Sequence, residues 1–217
     1  MKLFVTGATG GTGQQIVREA LAQAHEVTAL VRSRDKAAPL LPGAALVEGD
    51  ARDAATVSGA LAGCDAVISS LGQRKISLVR NVTLMSQATR VLVEAMQKQH
   101  LSRFVCITGL GAGDSAGHGG FVYDRLVKPI FLRTIYQDKD RQEAIIKQSG
   151  LEWVIVRPTV LTDKPATGRI RALTDLRGFN GGQISRADVA AFVVTQVSRD
   201  DWLCKTPLIT AEGKATT

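Results

Sequence analysis

The segment Thr6-Gly7-Ala8-Thr9-Gly10-Gly11-Thr12-Gly13 constrains the fold more than any other stretch of the chain. It follows an apolar run, Lys2 to Thr6, that reads as a strand. It precedes Ile16, Val17, Ala20, Leu21 and Ala24, whose spacing puts them on one stripe of a helix beginning near Gly11. Between a strand and a helix, the early glycine permits a tight turn, the middle ones let a diphosphate touch backbone, and Gly13 lets the helix lie close to the strand. Free backbone N–H groups and the positive helix end then face the phosphates. The turn predicts a dinucleotide seated on Gly7, Thr9, Gly10, Gly11, Thr12 and Gly13; the alternative is glycines that serve only a sharp bend.

The rest of the sequence repeats the same alternation. Further strands are expected at Glu26 to Val31, Ala45 to Glu48, Ala66 to Leu71, Arg103 to Thr108, Leu151 to Arg157 and Pro207 to Thr210. Helices are expected after Asp53 (Val57, Ala60, Leu61), after Ser77 (Val82, Met85, Leu92, Val93, Met96) and before the sixth strand (Ala144, Ile145, Ile146), the last stopping at Ser149-Gly150. Ser185-Arg186-Ala187-Asp188 opens a final helix as a variant capping box. Strands alternating with helices predict an α/β fold, one doubly wound parallel sheet flanked by helices. At 217 residues, 45% hydrophobic, the chain reads as a single domain over 1–217. Two stretches break the rhythm on the side where such sheets bind ligands. Residues 109–120 hold six glycines and read as a loop or lid; residues 162–182 read as a second irregular arm.

The end of the second strand discriminates between dinucleotides. NAD sites place Asp or Glu there to hold ribose hydroxyls. Here Val31 is followed by Arg32, Ser33 and Arg34, and guanidinium groups at 32 and 34 suit a 2′-phosphate, so NADP (NADPH) is the expected cofactor. The other reading is that both arginines are solvated charge. Asp50, past the third strand, is placed to accept from an adenine amino group, with Ala51 leaving room for the ring; a plain turn aspartate is the alternative.

Twenty-seven basic against twenty acidic residues give a net charge of +7, which favours an anionic partner without choosing one. Aromatics make up only 5% and no nucleic-acid module is recognisable, so nucleic acid is not expected as a partner. No apolar run is long enough to cross a bilayer and the opening residues reach Gly7 too soon for a signal peptide, which predicts no membrane association and a cytoplasmic address. Cys64, Cys106 and Cys204 are too few and too far apart for a disulfide framework or zinc pattern. His118 lies among glycines with no second ligand at metal spacing, and His25 and His100 sit at helix ends, so no metal site is expected.

Several blocks together resemble the atypical branch of the short-chain dehydrogenase/reductase superfamily, among the small NAD(P)H-binding proteins related to biliverdin-IX-beta reductase, which also reduces flavins. The carriers are the glycine turn, Leu30-Val31-Arg32, Val47-Glu48-Gly49-Asp50, Ser70-Leu71-Gly72, Ser149-Gly150-Leu151 with Val156-Arg157-Pro158, and Ile184-Ser185-Arg186-Ala187-Asp188-Val189-Ala190. The resemblance implies a Rossmann-type sheet with strand order beginning 3-2-1-4-5. It also implies that Ser70, Leu71 and Gly72 line the cofactor path, that Ile107 and Thr108 lie near the nicotinamide, and that Pro158, Thr159 and Val160 flank its carboxamide.

Ordinary members of the superfamily pair a tyrosine with a lysine four residues on. Tyr123 meets Val127 at four and Lys128 at five, with Pro129 disturbing the segment; Tyr136 with Lys139, at three, is the only variant pair. Thr108 and Lys139 are the candidate catalytic residues. Thr108 can donate to a substrate or cap the loop after it; Lys139 can touch the nicotinamide ribose or a surface carboxylate. The leading expectation is an NADPH-dependent oxidoreductase, an NAD(P)H-dependent reductase of the atypical type, passing hydride to a small planar acceptor such as a flavin or quinone. The alternative is a non-catalytic NADP(H)-sensing regulatory protein. Nucleotide-sugar epimerisation ranks behind both, because the chain leaves little for a C-terminal substrate domain. Oligomeric state is not legible.

Overall fold

Period-two alternation inside each strand decides the architecture. In the computed structural model, which describes residues 1–72, 82–115, 117, 133–179 and 181–212, Leu3 and Val5 of β1 (Lys2–Thr6) enter one apolar layer while Phe4 enters the other. A helix, α1 (Gly11–Ala22), leads to β2 (Glu26–Val31), and a short α2 (Arg34–Ala37) precedes β3 (Ala45–Glu48). Then come α3 (Ala54–Leu61), β4 (Ala66–Ser69), α4 (Leu84–Lys98), β5 (Arg103–Ile107), α5 (Arg133–Lys147) and β6 (Glu152–Pro158). The chain closes with β7 (Val160–Thr162), β8 (Ile170–Leu173), β9 (Gln183–Ser185), α6 (Arg186–Thr195) and β10 (Leu208–Ala211).

The main sheet runs β3-β2-β1-β4-β5-β6-β10-β8, parallel except for β8, which pairs antiparallel with β10. This is the Rossmann-type order expected, with β7 and β9 forming a separate parallel pair. One face is covered by α1 and α6 through Ile16, Val17, Ala20, Val189 and Val193. The other is covered by α3, α4 and α5 through Val57, Leu61, Leu92, Met96 and Ile146. Strands buried on both faces take apolar residues at most positions, which is why they read as near-continuous Val/Ile runs.

Local signals account for the ends. Asp53 accepts the amides of Ala55 and Thr56 at the start of α3, and Gly150, at φ +71°, turns the chain after α5. Some expected boundaries move. The fourth strand stops at Ser69, with the Ser70 amide still donating to Thr6 O at 2.9 Å, and the helix expected after Ser77 starts at Leu84; Ser77 itself lies outside the described residues. The arm at 162–182 is not irregular throughout, since β8 lies within it and extends the sheet through β10. The loop at 109–120, as far as it is described, contains a 3-10 turn at Gly113–Ser115. No helix among the described residues is long and apolar enough to cross a membrane.

Candidate functional site

The carboxyl ends of β1, β4, β5 and β6 open toward the glycine turn. Gly7 bends the chain at φ +73°, and a side chain there would run into the Ser70 carbonyl; one at Gly13 would run into the carbonyl of Gly7. Backbone therefore packs on backbone where β1, α1 and the exit of β4 meet. The first bond of the α1 ladder runs from Gln14 N to Gly10 O at 2.9 Å, so the amides of Gly11, Thr12 and Gly13 precede it. Gly10 offers no side-chain cap and the first turn holds no acidic residue. Gln14 Nε2 donates to the Thr9 carbonyl at 3.0 Å and steadies the loop. An uncapped, unneutralised helix start of this kind fits the diphosphate of a dinucleotide.

The two arginines after β2 differ. Arg34 is pinned to β3, its Nη2 donating to Leu46 O at 2.9 Å and its amide to Glu48 Oε2 at 2.7 Å. Arg32 is exposed and makes no hydrogen bond or ion pair with a described residue. Its charge bears on the Asp50 carboxyl through space, and its N–H donors meet no described acceptor, so they can receive an anion beside the β2 end. Asp50 accepts from Arg52 through Nε at 3.0 Å, Nη2 at 2.6 Å and the amide at 2.9 Å, the geometry of a turn aspartate. The Arg52 side chain, and then its amide, pull the Asp50 carboxyl down to about 2. Ala51 beside it is small and buried.

At the other end, where the sequence departs from the superfamily's tyrosine and lysine spacing, stands a buried network that includes Thr108 and Lys139. Arg157, 1% exposed, donates through Nε and Nη2 to Glu143 at 3.0 and 2.6 Å, and its Nη1 meets Asp114. The Thr108 hydroxyl donates to Glu143 Oε1 at 2.8 Å rather than into the loop that follows it. Lys139, half-buried, reaches the Thr108 carbonyl through Nζ. Burial pulls its ammonium down to about 8, against the raising influence of Cys106, Glu143 and Asp140. Tyr136 lies beside it, Nζ 5.1 Å from the ring centroid, and the phenol donates to Leu110 O at 2.8 Å. Ile107 is buried at the end of β5, next to this cluster. Ser70 and Leu71 are half-buried and Gly72 exposed after β4. Pro158 ends β6, Thr159 turns its hydroxyl to Thr210 Oγ1 at 3.2 Å, and Val160, 60% exposed, starts β7. Tyr123, Lys128, Pro129 and His118 lie outside the described residues. Among the described residues no cluster of three potential metal ligands occurs.

Sequence reading gave no site role to Asp114, Glu143 or Arg157, although Arg157 stands in the Val156-Arg157-Pro158 block and Glu143 ends the run that begins at Lys139. Arg157 did carry a signal, because a charged side chain inside a two-side-buried strand requires a buried partner. Nothing in the spacing pointed to Glu143 as that partner.

A family model described as NAD(P)H-binding matches residues 7–200. The chain is 32% identical over 207 residues to a Bacillus subtilis protein described as an uncharacterized sugar epimerase, YhfK, across 91% of this chain and 88% of that one. It is 30% identical over 220 residues to a chloroplastic protein of Arabidopsis thaliana, across 99% and 78%. Among solved structures it is similar to ChuY of Escherichia coli O157:H7, described as an anaerobillin reductase, with 25% identity, a TM-score of 0.82 and full coverage of both chains. A Veillonella parvula short-chain dehydrogenase/reductase in complex with NADP, at 15% identity and a TM-score of 0.79 over 98% of this chain and 95% of that one, shares the fold.

Proposed function

Because the chain belongs to the NAD(P)H-binding family, we propose that it is an NADPH-dependent reductase that delivers hydride to a small planar acceptor of flavin or quinone type. Residues 1–217 act as one cofactor-binding unit in this reading. The carrying observation is the uncapped start of α1 together with Arg32 at the β2 end, which makes no hydrogen bond with a described residue: one cradle for a diphosphate and one cation for an additional phosphate. NADPH, when bound, supplies the hydride. Gly7, Thr9, Gly10, Gly11, Thr12 and Gly13 hold the diphosphate, Arg32 the 2′-phosphate, and Asp50 and Ala51 border the adenine. Ser70, Leu71, Gly72, Ile107, Pro158, Thr159 and Val160 line the path to the nicotinamide. Lys139 has donors to spare beyond the Thr108 carbonyl and offers one to the nicotinamide ribose, with Thr108 setting its position.

The state of the hydroxyls supports a conjugated acceptor. Both Thr108 and Tyr136 direct their protons to internal acceptors, so neither stands ready as the acid that a simple ketone needs. A conjugated acceptor requires stacking and distance, and takes its final proton from water. The similarity to a protein described as an anaerobillin reductase is in keeping with this chemistry. The same engaged hydroxyls also favour a second reading, a sensor that binds NADP(H) without turnover. Loss of NADPH absorbance on adding FMN or a quinone separates the two. Turnover supports the reductase; tight binding with no oxidation by any acceptor shifts the assignment to the sensor. Conversion of a nucleotide sugar, tested in parallel because of the B. subtilis relative's description, would displace both.

A further inference from the structure

The final helix places a cation over the first one. Ser185 caps α6 by accepting the Asp188 amide at 2.9 Å, and Arg186 is the first helical residue. Helix α6 lies along α1, and the Arg186 side chain crosses to the first turn of α1. A β-carbon at Gly11 would stand 3.1 Å from Arg186 Nε and 3.2 Å from its Cδ, so the bare glycine provides the seat for this arginine. On the outer side Arg186 Nη1 donates to Asp163 Oδ1 at 2.7 Å. The Asp163 side chain is 87% exposed and that of Arg186 26%.

Taken alone, this arrangement is electrostatically unfavourable. A guanidinium is held beside the positive end of a helix that has no capping side chain and no acid in its first turn. Asp163 offsets the charge from one side only and occupies one of five N–H donors. An anion between the guanidinium and the amides of Gly11, Thr12 and Gly13 would satisfy both. We infer that Arg186, carried in from the far end of the chain, is a ligand of the cofactor's diphosphate. The inference rests on the cofactor reading above and extends it to α6. It also separates two arginine roles. Arg32 addresses a phosphate that only NADPH carries, whereas Arg186 addresses a group that NADPH and NADH share.

The test is a set of dissociation constants for both nucleotides, measured by titration on the full chain and its variants. Arg186→Gln should raise the constants for NADPH and NADH by the same factor, ~10-fold or more for the loss of a charge-assisted hydrogen bond. Arg186→Lys should recover part of that loss, and Asp163→Asn should bind no more weakly than the unaltered chain. Unchanged binding by Arg186→Gln overturns the inference. Equal weakening by Arg186→Gln and Asp163→Asn overturns it too, because the ion pair's hold on the β7 segment would then be what matters. A measurement without variants covers a misfolded Arg186→Gln: phenylglyoxal labelling of the unaltered chain, read by mass spectrometry. NADPH should protect Arg186, and labelling that NADPH leaves unaltered overturns the inference. If the unaltered chain binds neither nucleotide, the cofactor reading falls as well, a result distinct from two proteins that bind alike.

Discussion

Replacing Glu143 with alanine removes the acceptor of two hydrogen bonds from Arg157, at 3.0 and 2.6 Å, and one from Thr108, at 2.8 Å. The guanidinium left behind is 1% exposed, and Asp114, its other partner, is 74% exposed. Charge-assisted hydrogen bonds at ~1.5–3 kcal/mol each would sum to well over 4 kcal/mol in gross terms. Relaxation and water entry reduce this, and removing one member of a buried pair costs about 3–5 kcal/mol, the loss expected here. In a domain of this size each kcal/mol moves Tm by about 2–4 °C, so Tm should fall by roughly 6–20 °C. Urea and thermal unfolding followed by circular dichroism measure it. The double variant Glu143→Leu, Arg157→Met removes both charges and should regain most of the loss. A single-variant loss below ~1 kcal/mol, the scale of an exposed pair, or a double variant no better than the single, would refute the reasoning. Asp175→Asn is the control. The Arg177–Asp175 pair is as short, 2.5 Å, but 90% and 58% exposed, and its removal should leave Tm where it was.

Three further outcomes follow from the same geometry. Arg32→Gln should weaken NADPH binding ~10- to 150-fold and leave NADH unchanged, the value of one hydrogen bond to a charged group; parallel titrations check it, and an unaltered NADPH-to-NADH ratio counts against Arg32. Lys139 loses its proton as pH rises through about 8, so NADPH affinity should decline above that pH in the unaltered chain and stay level in Lys139→Gln. Because burial depresses that lysine, the unfolded chain binds the extra proton between about pH 8 and the ordinary 10.5, and this residue's contribution to stability should increase with pH across that window. Asp188, 1% exposed, accepts the amides of Thr167 and Gly168 at 3.0 and 2.9 Å and the Ser185 hydroxyl at 2.8 Å. Asp188→Asn should cost about 2 kcal/mol in urea unfolding, and no shift in midpoint would show that the 162–168 segment is held by other contacts.

Periodicity made the sheet legible. Leu3 and Val5 on one side with Phe4 on the other, repeated in Val105 and Phe104, announced strands buried on both faces. The glycine turn was legible because its requirement is local: Gly7 and Gly13 are needed where backbone meets backbone. Strand β8 was hidden because none of its residues is fully buried, so Ile170 to Leu173 lacks the apolar run of the inner strands, and Arg171, Gly168 and Gly178 carry the chemistry of a loop. The different fates of Arg32 and Arg34 depend on the Leu46 carbonyl, which only the β2–β3 pairing brings into range. In the Ser185 to Asp188 capping box Ser185 is the cap, accepting the Asp188 amide, while the Asp188 carboxylate takes the Ser185 hydroxyl instead of closing the box on a backbone amide. That carboxylate also holds Thr167 and Gly168, a long-range duty that a local motif cannot express.

The packing of α6 on α1 has a cost in time. During synthesis α1 has the apolar face of β1 and β2 to pack on from the start, but α6 emerges roughly 160 residues later, which at ~5–20 residues per second leaves the α6-facing side of α1 uncovered for roughly ten to thirty seconds. Over that interval the nascent chain presents the side of α1 that α6 will cover to whatever waits at the ribosome exit, so chaperone demand should be set by the wait for α6.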